Sequence, residues 1–300
     1  MDDQNLNHFK QLKQKIEERN KKLKQSIVGK HREAFDWAIN NTKQIAAGAM
    51  GGLMLLSSPN MQLLASSTNE GSKQQFLEIE PSVFMVTDIK QYLPDEVGVL
   101  IPGQEEKIGE ILSSYYGFSV KSQIDGFRLL HTYGYIGAEQ HLMRFSGDTM
   151  EGHFDNTEDE AKYYSSGLAP GRGGFGYFAS SRGEMTQKEI DREKYYIAVQ
   201  TFLAPGIDSR RREYINFFKF RKMLVVSPNT GRAVVAVIGD AGPAVWTKKH
   251  LGGSPEVMKH LQRVDGKQKG SVLYFFIEDP EDKIPLGPIE PIDTKSLVRS

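Results

Sequence analysis

Asp240 is the residue whose position most suggests chemistry. It follows a run of apolar and small residues and precedes Gly242-Pro243, a pair typical of a sharp turn. A carboxyl group with one dry side and one side facing a groove can act as a general acid, because burial raises the pKa of a carboxyl. An Asp in such a place can equally cap its own turn by accepting backbone hydrogen bonds. The residues alone leave both roles open.

A set of possible metal ligands lies between residues 139 and 155. His141 and Asp148 are seven positions apart, a separation that zinc-dependent wall peptidases use together with a distant histidine, here His250 or His260. The serine and glycine residues that flank the ligands in those peptidases are missing. The sequence therefore predicts no metal ligand and no cofactor. A zinc-dependent wall peptidase is the least favoured of the three functions considered in this subsection; the other two follow below. The neighbouring side chains of suitable type are Glu139, Glu151, His153 and Asp155.

The glycine-rich run 167–177 has a spacing like that of phosphate-binding loops. Those loops bind phosphate where a strand turns into a helix, and the sequence indicates no such junction here. The run therefore predicts an ordinary loop.

The composition bounds the class of protein. The chain has 300 residues, which is one large domain or two ordinary ones. Lys and Arg total 38 and Asp and Glu total 38, and this balance argues against a nucleic-acid-binding protein, which would show a basic excess. Cysteine is absent, which excludes disulfides, thiol nucleophiles and thiolate metal sites.

The charges are unevenly distributed along the chain. Residues 1–44 contain ten basic and six acidic side chains, and no charged residue follows until after Asn69. A basic segment, a short apolar stretch and small residues match a secretory signal in order. A buried helix in a cytoplasmic protein is the alternative. The sequence predicts export, with residues 45–65 cleaved as a signal peptide or kept as a membrane anchor whose basic end stays inside.

The elements that must position Asp240 are mostly strands. Met223–Val226 and Ala233–Ile238 are β-rich runs joined by a turn that contains Asn229 and Gly231, which predicts a β-hairpin. Val272–Ile277 is wholly apolar and predicts a strand buried on both faces. Three helices are also predicted: an amphipathic one over Glu105–Tyr116, one opened by the capping box Thr186–Glu189, and one with Ser254 as N-cap and Pro255 in the first turn.

The run from Val225 to Pro243 resembles the rare lipoprotein A family. In that family a strand, a turn with Asn and Gly, a valine-rich strand and an Asp-x-Gly-Pro signature follow one another, as they do here up to Asp240-Ala241-Gly242-Pro243. A short helix and a closing strand come next, matched by Ser254–Leu261 and Val272–Ile277. The match is tight over residues 222–262 and extends at most over 130–280.

This resemblance implies a fold and a site. The fold is mainly β, α+β overall: a double-psi-like six-stranded β-barrel with short helices, preceded by a helical N-terminal export or anchor segment. Asp240 is the implied acid/base residue. Gln200 stands where the family has a histidine, and Gln cannot transfer a proton. The implied substrate-binding residues are Thr132, Tyr133, Gln200, Gly242 and Trp246, and an exposed Trp246 could stack on a sugar ring.

The predicted function follows from the resemblance. The chain is expected to be an exported cell-wall protein, a peptidoglycan lytic transglycosylase with Asp240 as acid/base. The alternative is a non-catalytic wall-binding module of the expansin type. For either function, the predicted partner of the chain is cell-wall glycan. Membrane association through residues 45–65 is also predicted, and binding to nucleic acid is not. The predicted organisation is a basic, partly helical arm (1–44), the export segment (45–65), a linker (66–75), a small accessory region (76–129), the barrel (130–280) and a C-terminal tail (281–300).

Overall fold

The computed structural model describes residues 80–262 and 270–292. These residues belong to one compact unit, Leu77–Ser300. The predicted arm, export segment and linker lie outside the described residues. Within the described ranges, no helix has the length and apolar character needed to cross a bilayer.

Ten strands and seven α-helices make up the described residues, with short 3-10 turns between them. In chain order they are α1 Pro81–Lys90, α2 Pro102–Tyr116, β1 Val120–Lys121, β2 Gln123–Ile124, β3 Phe127–Arg128, β4 Tyr133–Ala138, α3 Met150–His153, α4 Thr157–Tyr163, α5 Gln187–Lys194, β5 Tyr196–Val199, α6 Arg211–Phe218, β6 Lys222–Val226, β7 Ala233–Ala241, β8 Leu251–Gly253, α7 Pro255–His260, β9 Gly270–Ile277 and β10 Gly287–Ile289.

Six of these strands close into a mixed β-barrel. Around the barrel the order is β9, β4, β8, β5, β7, β6 and back to β9. The pairs β4–β8 and β5–β7 are parallel, and the other four are antiparallel. Closure removes the exposed edges that an open sheet would present. The prediction of a six-stranded barrel with short helices is thus confirmed at this level.

The apolar runs explain why the barrel forms. The predicted hairpin is present as β6 and β7, and Gly231 closes its turn with a φ of 74°, a conformation that suits glycine. In β9, Val272, Tyr274 and Phe276 fill the barrel interior, whereas the alternate residues face outward. Those outward residues are also buried, because α1 and α2 cover them. The prediction that this strand is buried on both faces is confirmed.

The three predicted helices are also present. Helix α2 begins at Pro102, three residues before the predicted start. Helix α5 has the predicted capping box between Thr186 and Glu189. Helix α7 begins after Ser254, whose Oγ accepts a hydrogen bond from the backbone N–H of Val257 at 3.3 Å. Capping signals therefore placed the starts of α5 and α7, and amphipathic spacing placed the start of α2 to within three residues.

Candidate functional site

Asp240 is half-buried at the end of β7. Its Oδ1 accepts hydrogen bonds from the backbone N–H groups of Gly174, at 2.5 Å, and Ala241, at 2.7 Å. Its Oδ2 has no hydrogen-bond partner among the described residues. The backbone therefore fixes one oxygen of the carboxylate and leaves the other available to a ligand.

A β-bulge sets the direction of the Asp240 side chain. Along the pair β5–β7, Ile197 lies opposite Ile238 and Ala198 opposite Asp240, so that Gly239 is the extra residue. A Cβ on Gly239 would lie 2.8 Å from the Cβ of Tyr196, closer than real Cβ contacts come. The bulge therefore requires glycine at this place, and it turns Asp240 to the same face of the sheet as Ala198.

The glycine-rich loop approaches Asp240 from outside the barrel. A Cβ on Gly174 would lie 2.9 Å from Oδ1 of Asp240 and 3.0 Å from the nitrogen of Ala241. A Cβ on Gly173 would lie 3.0 Å from the carbonyl oxygen of Gly239. The predicted loop is confirmed for these residues, and its glycines allow the backbone to reach the carboxylate.

Glu139 brings a second carboxylate towards Asp240. It follows β4, and its side chain lies over Gly252, in the space that a Cβ there would occupy. Gly252 lies opposite Ala198, which lies opposite Asp240. We call Glu139, Gly252, Ala198 and Asp240 the carboxylate strip. At the centre of the strip, Gly252 has no side chain and Ala198 has only a methyl group, so no large side chain separates the two acidic groups.

The surroundings of Glu139 shift its pKa upward. Burial raises the pKa of Glu139, the positive charge of Lys249 lowers it, and the charge of Asp240 raises it, for a net upward shift. The Nζ of Lys249 is 3.9 Å from Oε1 of Glu139, and the two side chains are 22% and 31% exposed. A carboxyl whose pKa is raised in this way is suited to donate a proton.

Three other predicted site residues, Gln200, Gly242 and Trp246, lie at the same end of β5 and β7. Gln200 is buried, and its Nε2 donates to the carbonyl oxygens of Pro243, at 2.9 Å, and Lys249, at 3.0 Å. It therefore holds together the two ends of the loop that begins at Gly242. Trp246 lies within this loop and is 84% exposed, the most exposed large apolar side chain of the described residues.

The remaining two predicted site residues are enclosed elsewhere. Thr132 is 2% exposed, and its Oγ1 donates to Oε1 of Glu105 at 2.7 Å. Tyr133 packs in the apolar cluster between β9 and helices α1 and α2. Both therefore contact the helical layer, and among the described residues neither is hydrogen-bonded to Asp240 or Glu139.

A second group of ionisable side chains is fully buried. Both ring nitrogens of His153 are hydrogen-bonded to carboxylates. Nδ1 lies 2.9 Å from Oδ2 of Asp148, and Nε2 lies 3.2 Å from Oε2 of Glu193. The Nδ1 of His141 is 3.2 Å from Oε1 of Glu193, and Arg144 contacts Asp148 at 3.4 Å. We call these five residues the ionic cluster. All five are at most 4% exposed.

Opposite charges stabilise each other inside the ionic cluster. Burial opposes a charge on His153, but its hydrogen bonds to Asp148 and Glu193 outweigh burial and raise its pKa to about 9. Burial likewise opposes the charge on Glu193, and the two histidines outweigh it and lower its pKa to about 2. Nearby Glu256 has no such partner, and burial, with the charge of Glu193, raises its pKa to about 8.

The ionic cluster partly matches the ligand set considered from sequence. His141, Asp148 and His153 come together, and Glu193 joins them from α5. His250 does not, because its ring lies 4.6 Å from that of His131 and its Nδ1 accepts from the backbone N–H of Tyr135. One atom each of His141, His153 and Glu193 could hold a metal ion, since these atoms lie within 4.8 Å of one another.

No known family model matches the chain, and none of the curated proteins matches it. The fold and the two groups of ionisable side chains therefore carry the functional argument.

Proposed function

We propose that this protein is an exported enzyme that cleaves the glycan strands of peptidoglycan, in the manner of a lytic transglycosylase, at the carboxylate strip. One observation carries this proposal: Asp240 and Glu139 flank a pair of small residues on one face of the barrel and differ in environment. The backbone fixes an oxygen of Asp240, while burial raises the pKa of Glu139. Glycosidic bond cleavage commonly uses two carboxyl groups in different protonation states.

The proposed reaction needs a proton donor and a proton acceptor. Glu139 donates its proton to the glycosidic oxygen as the bond between that oxygen and the anomeric carbon breaks. The 6-hydroxyl of the same sugar then attacks the anomeric carbon, and Asp240 accepts the hydroxyl proton. The product carries a 1,6-anhydro ring and no water is consumed. Proton exchange with solvent restores both carboxyl groups. Asp240 thus acts as the base, which is one half of the acid/base role that the resemblance implies, and Glu139 takes the acid half.

The barrel supports the comparison with rare lipoprotein A. A closed, six-stranded mixed barrel is compatible with the double-psi topology of that family. The Asp-x-Gly-Pro signature is at the end of β7, and the exposed ring of Trp246 stands in the loop that follows it. An exposed indole is a suitable surface for stacking a sugar ring. Export through residues 45–65 would bring this surface to the wall.

A digestion experiment tests the proposal. The full chain is incubated with purified peptidoglycan, and mass spectrometry detects 1,6-anhydro ends. We expect Asp240→Asn and Glu139→Gln each to lower the rate about 100- to 10,000-fold, the range for losing a general acid or base. The matched controls Asp208→Asn and Glu106→Gln change exposed acidic residues and should keep the parent rate.

A second candidate is a non-catalytic wall-binding module of the expansin type. It is favoured by Gln200, which stands where the family has an assisting histidine and whose Nε2 is bound to two backbone carbonyls. If the parent protein releases no anhydro ends but sediments with peptidoglycan, the enzyme is rejected and the binding module is supported. Equal rates for the parent and Asp240→Asn would also reject the proposed role of the carboxylate strip.

A further inference from the structure

We infer that the ionic cluster is a binding site for one divalent transition-metal ion such as Zn²⁺, with His141, His153 and Glu193 as ligands and Glu256 as a fourth. This inference rests on different residues from the carboxylate strip and does not depend on the proposed function. It also departs from the sequence-based prediction that no metal is bound.

The donor atoms have the chemistry and the spacing of a metal site. Two imidazoles and a carboxylate are ligands that suit zinc and related ions, whereas magnesium and calcium prefer oxygen ligands alone. One atom from each of His141, His153 and Glu193 lies within 4.8 Å of the other two. Ligand atoms around zinc, each about 2.0–2.2 Å from the ion, are about 3.5 Å apart. Movements of about 1 Å would therefore bring these three atoms to the spacing of zinc ligands.

Unpartnered buried atoms around the cluster indicate a site for a cation. His141 is 1% exposed and its Nε2 has no hydrogen-bond partner. Glu256 is 6% exposed, and neither of its oxygens is hydrogen-bonded to another residue. Buried polar atoms without partners cost free energy that a bound cation would offset.

The residues that carry these atoms line one small cavity. His141, His153, Glu193 and Glu256 all line a cavity of 10 Å³, about the size of one water molecule or ion. Two other acidic residues on its wall are already paired: Asp155 with Arg144 at 2.9 Å, and Asp159 with Lys194 at 2.6 Å. Among the described residues that line this cavity, Glu256 is therefore the acidic group available as a further ligand.

A second carboxylate orients one of the histidines. Asp148 is hydrogen-bonded to Nδ1 of His153, which directs Nε2 of that ring towards Glu193. Histidine ligands in metal sites usually donate their other ring N–H to a carboxylate in this way.

The enclosure of the site indicates a structural metal. Structural zinc sites are closed, whereas catalytic ones keep a position open to substrate. The three ligand side chains are at most 3% exposed. They come from the segment after β4, from α3 and from α5, and Glu256 comes from α7. A bound ion would tie these segments together, whereas a peptidase would need an ion that its substrate can reach.

Zinc uptake by the full chain tests this inference. After treatment with a chelator and buffer exchange, the protein is titrated with Zn²⁺ against a chromophoric chelator, and thermal unfolding is followed. We expect one ion per chain and, at about 100 times the Kd, a rise in Tm of about 5–10 °C. Mg²⁺ and Ca²⁺ at the same concentration should give no shift. Failure of the parent to take up one Zn²⁺ would overturn the inference.

Variants locate the ion. His153→Gln should abolish uptake, and His131→Gln, a histidine outside the cluster, should leave it unchanged. Glu256→Gln breaks no hydrogen bond to another residue, so it should fold, and it should bind Zn²⁺ at least about 10-fold more weakly. If His153→Gln does not fold, the spectrum of the Co²⁺-loaded parent still reports nitrogen ligation. Unchanged affinity in Glu256→Gln rules out Glu256 as a ligand, and uptake that survives in His153→Gln places the ion elsewhere.

Discussion

The carboxylate strip and the ionic cluster use similar side chains in opposite surroundings. In the strip, Asp240 is half-buried with one oxygen unpaired, and Glu139 is 31% exposed. In the cluster, the side chains are almost inaccessible and most of their polar atoms are paired with one another. Both regions lie close together in sequence, since Glu139 and His141 are separated by one residue.

This difference distinguishes a site suited to catalysis from a site suited to stabilising the fold. A reacting sugar must enter, exchange protons and leave, which requires a free oxygen and access to solvent. A closed group of charges is costly to build and even more costly to break, because removal of one member leaves another charge buried and unpaired. The contrast predicts that mutations in the cluster affect mainly stability and that mutations in the strip affect mainly activity.

The largest expected effect is on stability and concerns Arg144. Its guanidinium contacts Asp148 and Asp155, donates to the carbonyl oxygen of Gly152 at 3.1 Å, and is 4% exposed. We expect Arg144→Met to lower the free energy of unfolding by about 3 kcal/mol, because the buried carboxylate of Asp148 loses a charged partner, whereas Asp155 is half exposed. Urea denaturation of the full chain measures this loss.

Lys249→Met is the matched control in the carboxylate strip. Its ion pair with Glu139 is long and partly exposed, so we expect a loss of at most about 1 kcal/mol. Equal losses of unfolding free energy in Arg144→Met and Lys249→Met would contradict the distinction between a buried stabilising site and an open catalytic one.

The next effect is on the pH dependence of glycan cleavage. Burial raises the pKa of Glu139, and only the protonated carboxyl can donate, so the rate should fall about tenfold per pH unit above that pKa. The charge of Lys249 lowers the pKa of Glu139. Lys249→Met should therefore move the alkaline limb of the rate profile to higher pH. A limb that stays in place or moves to lower pH would show that another group is the proton donor.

Much of the barrel could be predicted from local patterns. The runs that form β6, β7 and β9 are apolar and bounded by turn residues, and this pattern depends on few distant contacts. Capping residues marked the starts of α5 and α7 for the same reason. Asp240 stands at the end of such a run, but it is the resemblance to the rare lipoprotein A family that makes it the predicted acid/base residue.

The two ionisable groups could not be predicted as groups, because distant segments build them. Glu139 comes near Asp240 only through the register of β8 and β5, which no local pattern reveals. Glu193 resembles a surface charge on a highly charged helix. One signal was present, however: Ile190 is the one apolar residue of Gln187–Lys194, and Glu193 is three positions later, on the same helix face. Thr132 and Tyr133 were predicted as substrate-binding residues from the family resemblance. That resemblance does not include the helices that enclose both residues here.

The smallest expected effect concerns Trp246, and it tests whether the strip extends to a sugar-binding surface. Its side chain is 84% exposed, so Trp246→Ala should change the free energy of unfolding by less than about 0.5 kcal/mol. The loss of one stacking ring, about 1.4 kcal/mol, should weaken peptidoglycan binding about tenfold in a sedimentation assay. Tyr164→Ala removes another exposed aromatic ring, 45% exposed, and should bind as the parent does. Equal weakening in both variants would indicate nonspecific adsorption, and no weakening in either would confine glycan recognition to the strip itself.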